Sequence, residues 1–141
     1  MNPSTALSTL NLVLPLAACI VLAGASAQAQ TGPCNRGVCK VNVAVPSCEG
    51  NPTVSVDPIP VPEPNNIEWN LVTNGYEFRN TSIVIQGTGF RNNPGATGSG
   101  KKFKVHDDWT DRRPDIKYSI QVFRKSDGKA CAIWDPRISN N

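Results

Sequence analysis

From Lys40 to Val45, the residues Val41, Val43 and Val45 fall on one side of an extended chain and Lys40, Asn42 and Ala44 on the other. That is the two-residue period of a half-buried strand. Thr53 to Val56 repeats it, and Ile67, Trp69 and Leu71 alternate with Glu68 and Asn70. Tyr76 with Phe78, Ser82 to Gln86, and Phe103 with Val105 predict further short strands. In the clearest run, Ile116, Tyr118, Ile120 and Val122 oppose Lys117, Ser119, Gln121 and Phe123, and Lys129 to Trp134 closes the series. Turn signals (Asn74-Gly75, Gly87-Thr88-Gly89, Asp127-Gly128) separate the runs, and apolar spacing of three and four is not sustained anywhere. The pattern predicts an all-β Greek-key β-sandwich of seven or eight short strands. The Gly-rich stretch Asn92 to Gly100 reads as its most mobile loop. Pro58 to Pro64, with proline at every second position, reads as a connector along a sheet edge, because proline removes ladder donors.

Residues 10–25 are apolar apart from Asn11, and Ala27-Gln28-Ala29 then places small side chains where a signal peptidase requires them. We expect a secretory signal over residues 1–29 and a single β-sandwich domain over residues 30–141, secreted or periplasmic. No Lys or Arg precedes the apolar run. Leu16-Ala17-Ala18-Cys19 also resembles a bacterial lipoprotein box, which gives a lipid anchor on Cys19 as the minor alternative. The apolar run is too short to be read by length alone as a membrane-spanning helix, so no transmembrane segment is expected in the mature chain.

Cleavage after Ala29 leaves four of the five cysteines, Cys34, Cys39, Cys48 and Cys131. In an exported chain four thiols predict two disulfides with three connectivities open. The pairing favoured here is Cys34 with Cys39 and Cys48 with Cys131. In the loop-entropy model the long bridge closes about 84 residues and contributes roughly 4.5 kcal/mol, and the short one closes about 6 and contributes roughly 2.

Trp69 on an early middle strand and the run Asp115-Ile116-Lys117-Tyr118-Ser119-Ile120 resemble two marks of the immunoglobulin fold, a buried tryptophan and a corner tyrosine. Ile120 stands where antibody domains carry their second core cysteine. Val54 to Trp69 is similar to the opening half of cupredoxin-like sandwiches. Together with Asp135 to Asn140 it resembles small exported bacterial proteins without an assigned activity. The resemblance implies an immunoglobulin-like or cupredoxin-like sandwich and carries no chemistry with it.

Catalytic and cofactor signals are weak. Gly95 to Lys102 follows P-loop spacing up to its last position, where Lys102 replaces the magnesium-binding Ser or Thr, and the residues that follow alternate as a strand. No nucleotide is expected. His106 is the single histidine, and the Asp107, Asp108, Asp111 and Asp115 that follow it lack the spacing and glycine of a calcium loop. Blue copper needs two histidines. No metal and no cofactor are expected, and no serine elbow accompanies His106. Asn80-Thr81-Ser82 fits the N-glycosylation triplet, and no sugar is assigned to it.

Hydrophobic residues at 39% and charged residues at 18% set the chain apart from disordered sequences. Its charge is uneven. Residues 30–78 carry two bases and five acids, net −3, whereas residues 79–141 carry twelve bases and six acids, net +6. Lys101, Lys102, Lys104, Arg112 and Arg113, with Lys117, Arg124 and Lys125, are candidates for a basic face. Trp109, flanked by charges, is a candidate exposed anchor beside it.

These features lead us to expect an exported, non-catalytic binding or structural module whose partner is a protein or an anionic surface polymer. Two alternatives are a periplasmic or secreted hydrolase inhibitor, inserting the Asn92–Gly100 or the Trp109 loop, and a cofactor-independent hydrolase using His106.

Overall fold

In the computed structural model, which describes residues 33–141, alternation in the sequence translates directly into burial. Twelve strands form, with no helix among the described residues: β1 (Cys34–Asn35), β2 (Val38–Ala44), β3 (Thr53–Val54), β4 (Ile59–Pro60), β5 (Asn65–Leu71), β6 (Tyr76–Glu77), β7 (Ile83–Ile85), β8 (Phe90–Thr97), β9 (Lys102–Asp107), β10 (Ile116–Ile120), β11 (Phe123–Arg124) and β12 (Arg137–Ser139). The count exceeds the expected seven or eight because β1, β4 and β11 are two-residue pairings, too short for a two-residue period to register, and because β8 and β12 form where no alternation could be read. The expected signal over residues 1–29 and the alternative anchor Cys19 lie outside the described residues.

One sheet has the order β1-β2-β5-β9-β8, with β3 also pairing to β2, and the second has the order β4-β12-β10-β7. A short ribbon joins β6 to β11. Two pairs, β2 with β5 and β4 with β12, are parallel, so neither sheet is a plain succession of hairpins. The sheets pack face to face. Trp69 from β5 meets Tyr118 from β10, with ring centroids 5.4 Å apart, and Phe103 meets Trp69 edge-on at 6.4 Å. All three are fully buried, and each such side chain contributes about 2–3 kcal/mol of apolar transfer. The Tyr118 hydroxyl accepts the Trp69 indole N–H at 3.3 Å, so this tyrosine ties one sheet to the other.

The disulfides join Cys34 to Cys39 and Cys48 to Cys131. The first lies directly across the β1–β2 pairing, and the second fastens the segment after β11 to the segment after β2. Two such bridges belong to a chain that matures in an oxidising compartment. No helix among the described residues is long and apolar enough to cross a membrane.

Two local expectations change, and one strand forms where none was expected. Asn92 to Thr97 is strand, not loop: β8 pairs antiparallel with β9 as an edge strand, and its register shifts between Asn92 and Gly95. Pro94 sits inside that irregularity, where a missing N–H leaves no ladder bond unmade. Lys129 to Trp134 is not a strand, because its pairing reduces to two isolated bridges, Phe123 with Ala130 and Ile120 with Trp134. Between them Cys131 is held by its disulfide and the Ala132 N–H donates to the Cys48 carbonyl. Arg137–Ser139, which shows no alternation long enough to read, forms β12 between β4 and β10. The proline-rich segment runs along a sheet edge, where Ile59–Pro60 pairs with β12 and the Val61 N–H donates to the Ser139 carbonyl.

Candidate functional site

The outward face of the larger sheet follows from strand parity and register. Because β2, β5 and β9 bury Cys39, Val41, Val43, Ile67, Trp69, Phe103 and Val105, their alternate residues Lys40, Asn42, Asn66, Glu68, Asn70, Lys102, Lys104 and His106 point the other way. Register then aligns them into rows. Lys40 lies beside Glu68 and Glu68 beside Lys104; Asn42 lies beside Asn70 and Asn70 beside Lys102; Asn66 lies beside His106 and His106 beside Arg91. This face holds four permanent cations, Lys40, Arg91, Lys102 and Lys104, against one carboxylate, Glu68, for a net charge of +3. Thr97 lies beside Lys102 on the edge strand.

Glu68 is the centre of the face. Its carboxylate accepts the Lys102 ammonium at 3.4 Å through Oε1 and the Lys104 ammonium at 3.3 Å through Oε2, and its side chain is only 8% exposed beneath them. Burial opposes its ionisation, but the hydrogen bonds and charges of Lys104 and Lys102 outweigh that penalty and hold the carboxyl below its ordinary value. Two long, flexible side chains are thereby held at one spot. Beside them, the Asn93 amide donates to Asn66 Oδ1 at 3.1 Å, and His106 Nδ1 lies 3.3 Å from the same oxygen, a contact that requires the Nδ1–H tautomer.

The residues singled out from sequence do not form one surface. Lys102 and Lys104 belong to the face just described. Lys101 sits in the β8–β9 turn with its ammonium donating to the Thr73 carbonyl at 2.8 Å and to Asn74 Oδ1 at 3.3 Å. Arg113 forms an ion pair with Asp111 at 2.7 Å and donates to the Gln86 carbonyl at 2.8 Å. The guanidinium's hydrogen bonds to Asp111 hold that carboxyl down to about 2. Lys117 faces outward on the opposite sheet, paired across strands with Arg137, and Arg124 forms an ion pair with Asp127. Lys125 reaches the Ser99 carbonyl. The basic half of the sequence is thus divided among both sheets, the β6–β11 ribbon and three turns or loops.

Trp109 is not an exposed anchor. Its indole N–H donates to the Val61 carbonyl at 3.0 Å, and the Arg112 guanidinium covers its ring 3.5 Å from the centroid. Arg112 is therefore also engaged, and it donates to the Trp109 carbonyl as well. The aspartates that follow His106 diverge from it. Asp107 points inward and is fully buried, accepting the Trp109 N–H at 2.8 Å and the Asn140 amide at 2.9 Å, and burial raises its carboxyl above the ordinary value. Asp108 turns to Thr110 and Asp111 to Arg113. His106 lies in register against Asn66 and Arg91, and its Nδ1 contact is to Asn66 Oδ1.

Sequence reasoning missed Lys40, Asn42, Asn66, Glu68, Asn70 and Arg91. Parity within each strand was readable; that these strands are neighbours was not. No family model and no curated protein matches the chain.

Proposed function

We propose that the protein is an exported, non-catalytic binding module whose ligand is an anionic polymer held on the outward face of β2, β5, β9 and β8. The observation that carries this reading is the convergence of Lys40, Arg91, Lys102 and Lys104 on one open sheet face, from strands separated in sequence. Cations fixed on one surface attract extended anions at long range. Lys102 and Lys104, fixed by Glu68, lose less side-chain freedom on binding than free lysines would. Both disulfides fit export, the setting in which such a polymer is met.

Of the two insertion loops of the inhibitor alternative, Asn92–Thr97 is built into strand β8 and the Trp109 indole is bonded to the Val61 carbonyl. The test is retention of the oxidised protein on immobilised heparin at low salt. Lys102→Glu with Lys104→Glu should abolish retention, and Lys117→Glu with Arg137→Glu, on the opposite sheet, should lower it only slightly. Equal losses from the two double variants, or none from either, would remove this face from the function.

A further inference from the structure

The same face bears on which anionic polymer is bound, an inference that rests on the reading above. Its cations are set among carboxamides: Asn42, Asn66 and Asn70 occupy outward positions in the rows that hold the lysines, and Asn93 is bonded to Asn66. By strand geometry Lys102 and Lys104 are about 7 Å apart along β9, and Lys104 and Lys40 about 10 Å apart across β5. A carboxamide both donates and accepts, so it pairs best with ligands that do both, as hydroxyl groups do. The backbone of a nucleic acid or a polyphosphate presents acceptors at high charge density and few donors.

Two further features separate the ligand classes. Glu68 puts a carboxylate in the middle of the cations, held ionised by its two lysines, and cuts the charge that a dense phosphate chain would meet from four positive charges to a net +3. The outward positions of β2, β5, β9 and β8 carry no Phe, Tyr or Trp, whereas single-stranded nucleic acid sites rely on aromatic side chains under the bases. We infer that the ligand is an acidic glycan, a polymer in which carboxylate-bearing sugars supply well-spaced anions to Lys40, Lys102, Lys104 and Arg91 while sugar hydroxyls pair with Asn42, Asn66 and Asn70.

The experiment compares polygalacturonate, inorganic polyphosphate and single-stranded poly-dT, matched in charge concentration and ionic strength, by calorimetric titration into the oxidised protein. Polygalacturonate should bind at least tenfold more tightly than either of the others. Asn42→Ala with Asn70→Ala should cost it tenfold or more and change polyphosphate binding less than twofold. Glu68→Gln should tighten polyphosphate several-fold and thereby narrow the gap. Polyphosphate or poly-dT binding as tightly as polygalacturonate in the unmodified protein would overturn the glycan assignment and leave the anion-binding face intact. Absence of binding to all three would overturn both. The ranking in the unmodified protein decides the matter even where a variant fails to fold.

Discussion

The Trp69 indole N–H and the Tyr118 hydroxyl, from opposite sheets and 49 positions apart in the chain, form a buried hydrogen bond of 3.3 Å at the centre of the sandwich. Burial, only partly offset by this bond, pushes the Tyr118 phenol well above its usual range, so it stays neutral and able to accept. The pair combines apolar area with one polar link that fixes how the sheets face each other.

Tyr118→Phe keeps the ring and leaves the indole N–H without a partner, which should cost about 1–3 kcal/mol. Trp69→Ala removes the largest core side chain and should cost about 3–5 kcal/mol. In urea unfolding, the double variant Trp69→Phe with Tyr118→Phe should be less destabilised than the sum of the single changes, because the second removes a group already unpaired. Strict additivity would show that the bond contributes nothing.

Of the two disulfides, Cys48–Cys131 should matter more. Replacing both of its cysteines with serine should cost about 4.5 kcal/mol against about 2 for the Cys34–Cys39 pair, from the loops that each closes. Melting temperature should follow that order, at about 4 °C per kcal/mol for a domain of this size. The reverse order would mean that the short hairpin bridge does more than limit chain freedom.

Gly100 and Gly98 lie in one turn with different surroundings. Both have positive φ, but a Cβ on Gly100 would stand 2.6 Å from Glu77 Cβ and 2.9 Å from the Phe78 carbonyl oxygen. On Gly98 the nearest atom would be Lys102 Cγ at 3.9 Å. Gly98→Ala should therefore cost about 1 kcal/mol from backbone strain alone, and Gly100→Ala clearly more, since β6 must also shift. Denaturant midpoints of the two variants measure the difference.

Asn140 should couple stability to pH through Asp107. Its amide donates to Asp107 Oδ2 and to the Asp111 carbonyl, while its own Oδ1 is buried without a partner. Burial raises the folded-state value of Asp107, so its ionised form weakens the fold at neutral pH, and that penalty is relieved as pH falls through the raised value. Asn140→Ala removes a donor to the ionised form. It should cost about 1–3 kcal/mol at neutral pH and less once Asp107 is protonated. Asp111 works in the opposite sense. Lowered to about 2 by Arg113, it contributes stability above its ordinary value of 3.8, and that contribution is lost as pH falls from there towards 2. The gap in unfolding free energy between Asn140→Ala and the unmodified protein should narrow on acidification above that window, and a gap independent of pH would exclude the coupling.

Much of the architecture could be read before any fold was known. The alternation in Lys40–Val45, Ile67–Leu71 and Ile116–Val122 identifies β2, β5 and β10 and names Trp69, Tyr118 and Ile120 as core, because a strand with one dry face must place apolar residues at every second position. The same parity marks Lys40, Glu68 and Lys104 as outward. It fails where pairing supplies what local pattern lacks: at β8, whose Pro94 and Gly95 fit an irregular edge, and at β12, too short to have a period.

The sequence by itself therefore determined which side of each longer strand is dry. Which strands lie side by side was decided only in the tertiary structure. It set β2 parallel to β5 and β5 against β9, and so brought Lys40, Glu68 and Lys104, 64 positions apart from first to last, into a single row. Parity is a property of consecutive residues, whereas strand order depends on how two whole sheets fit over one core, and the basic face inherits that nonlocal choice.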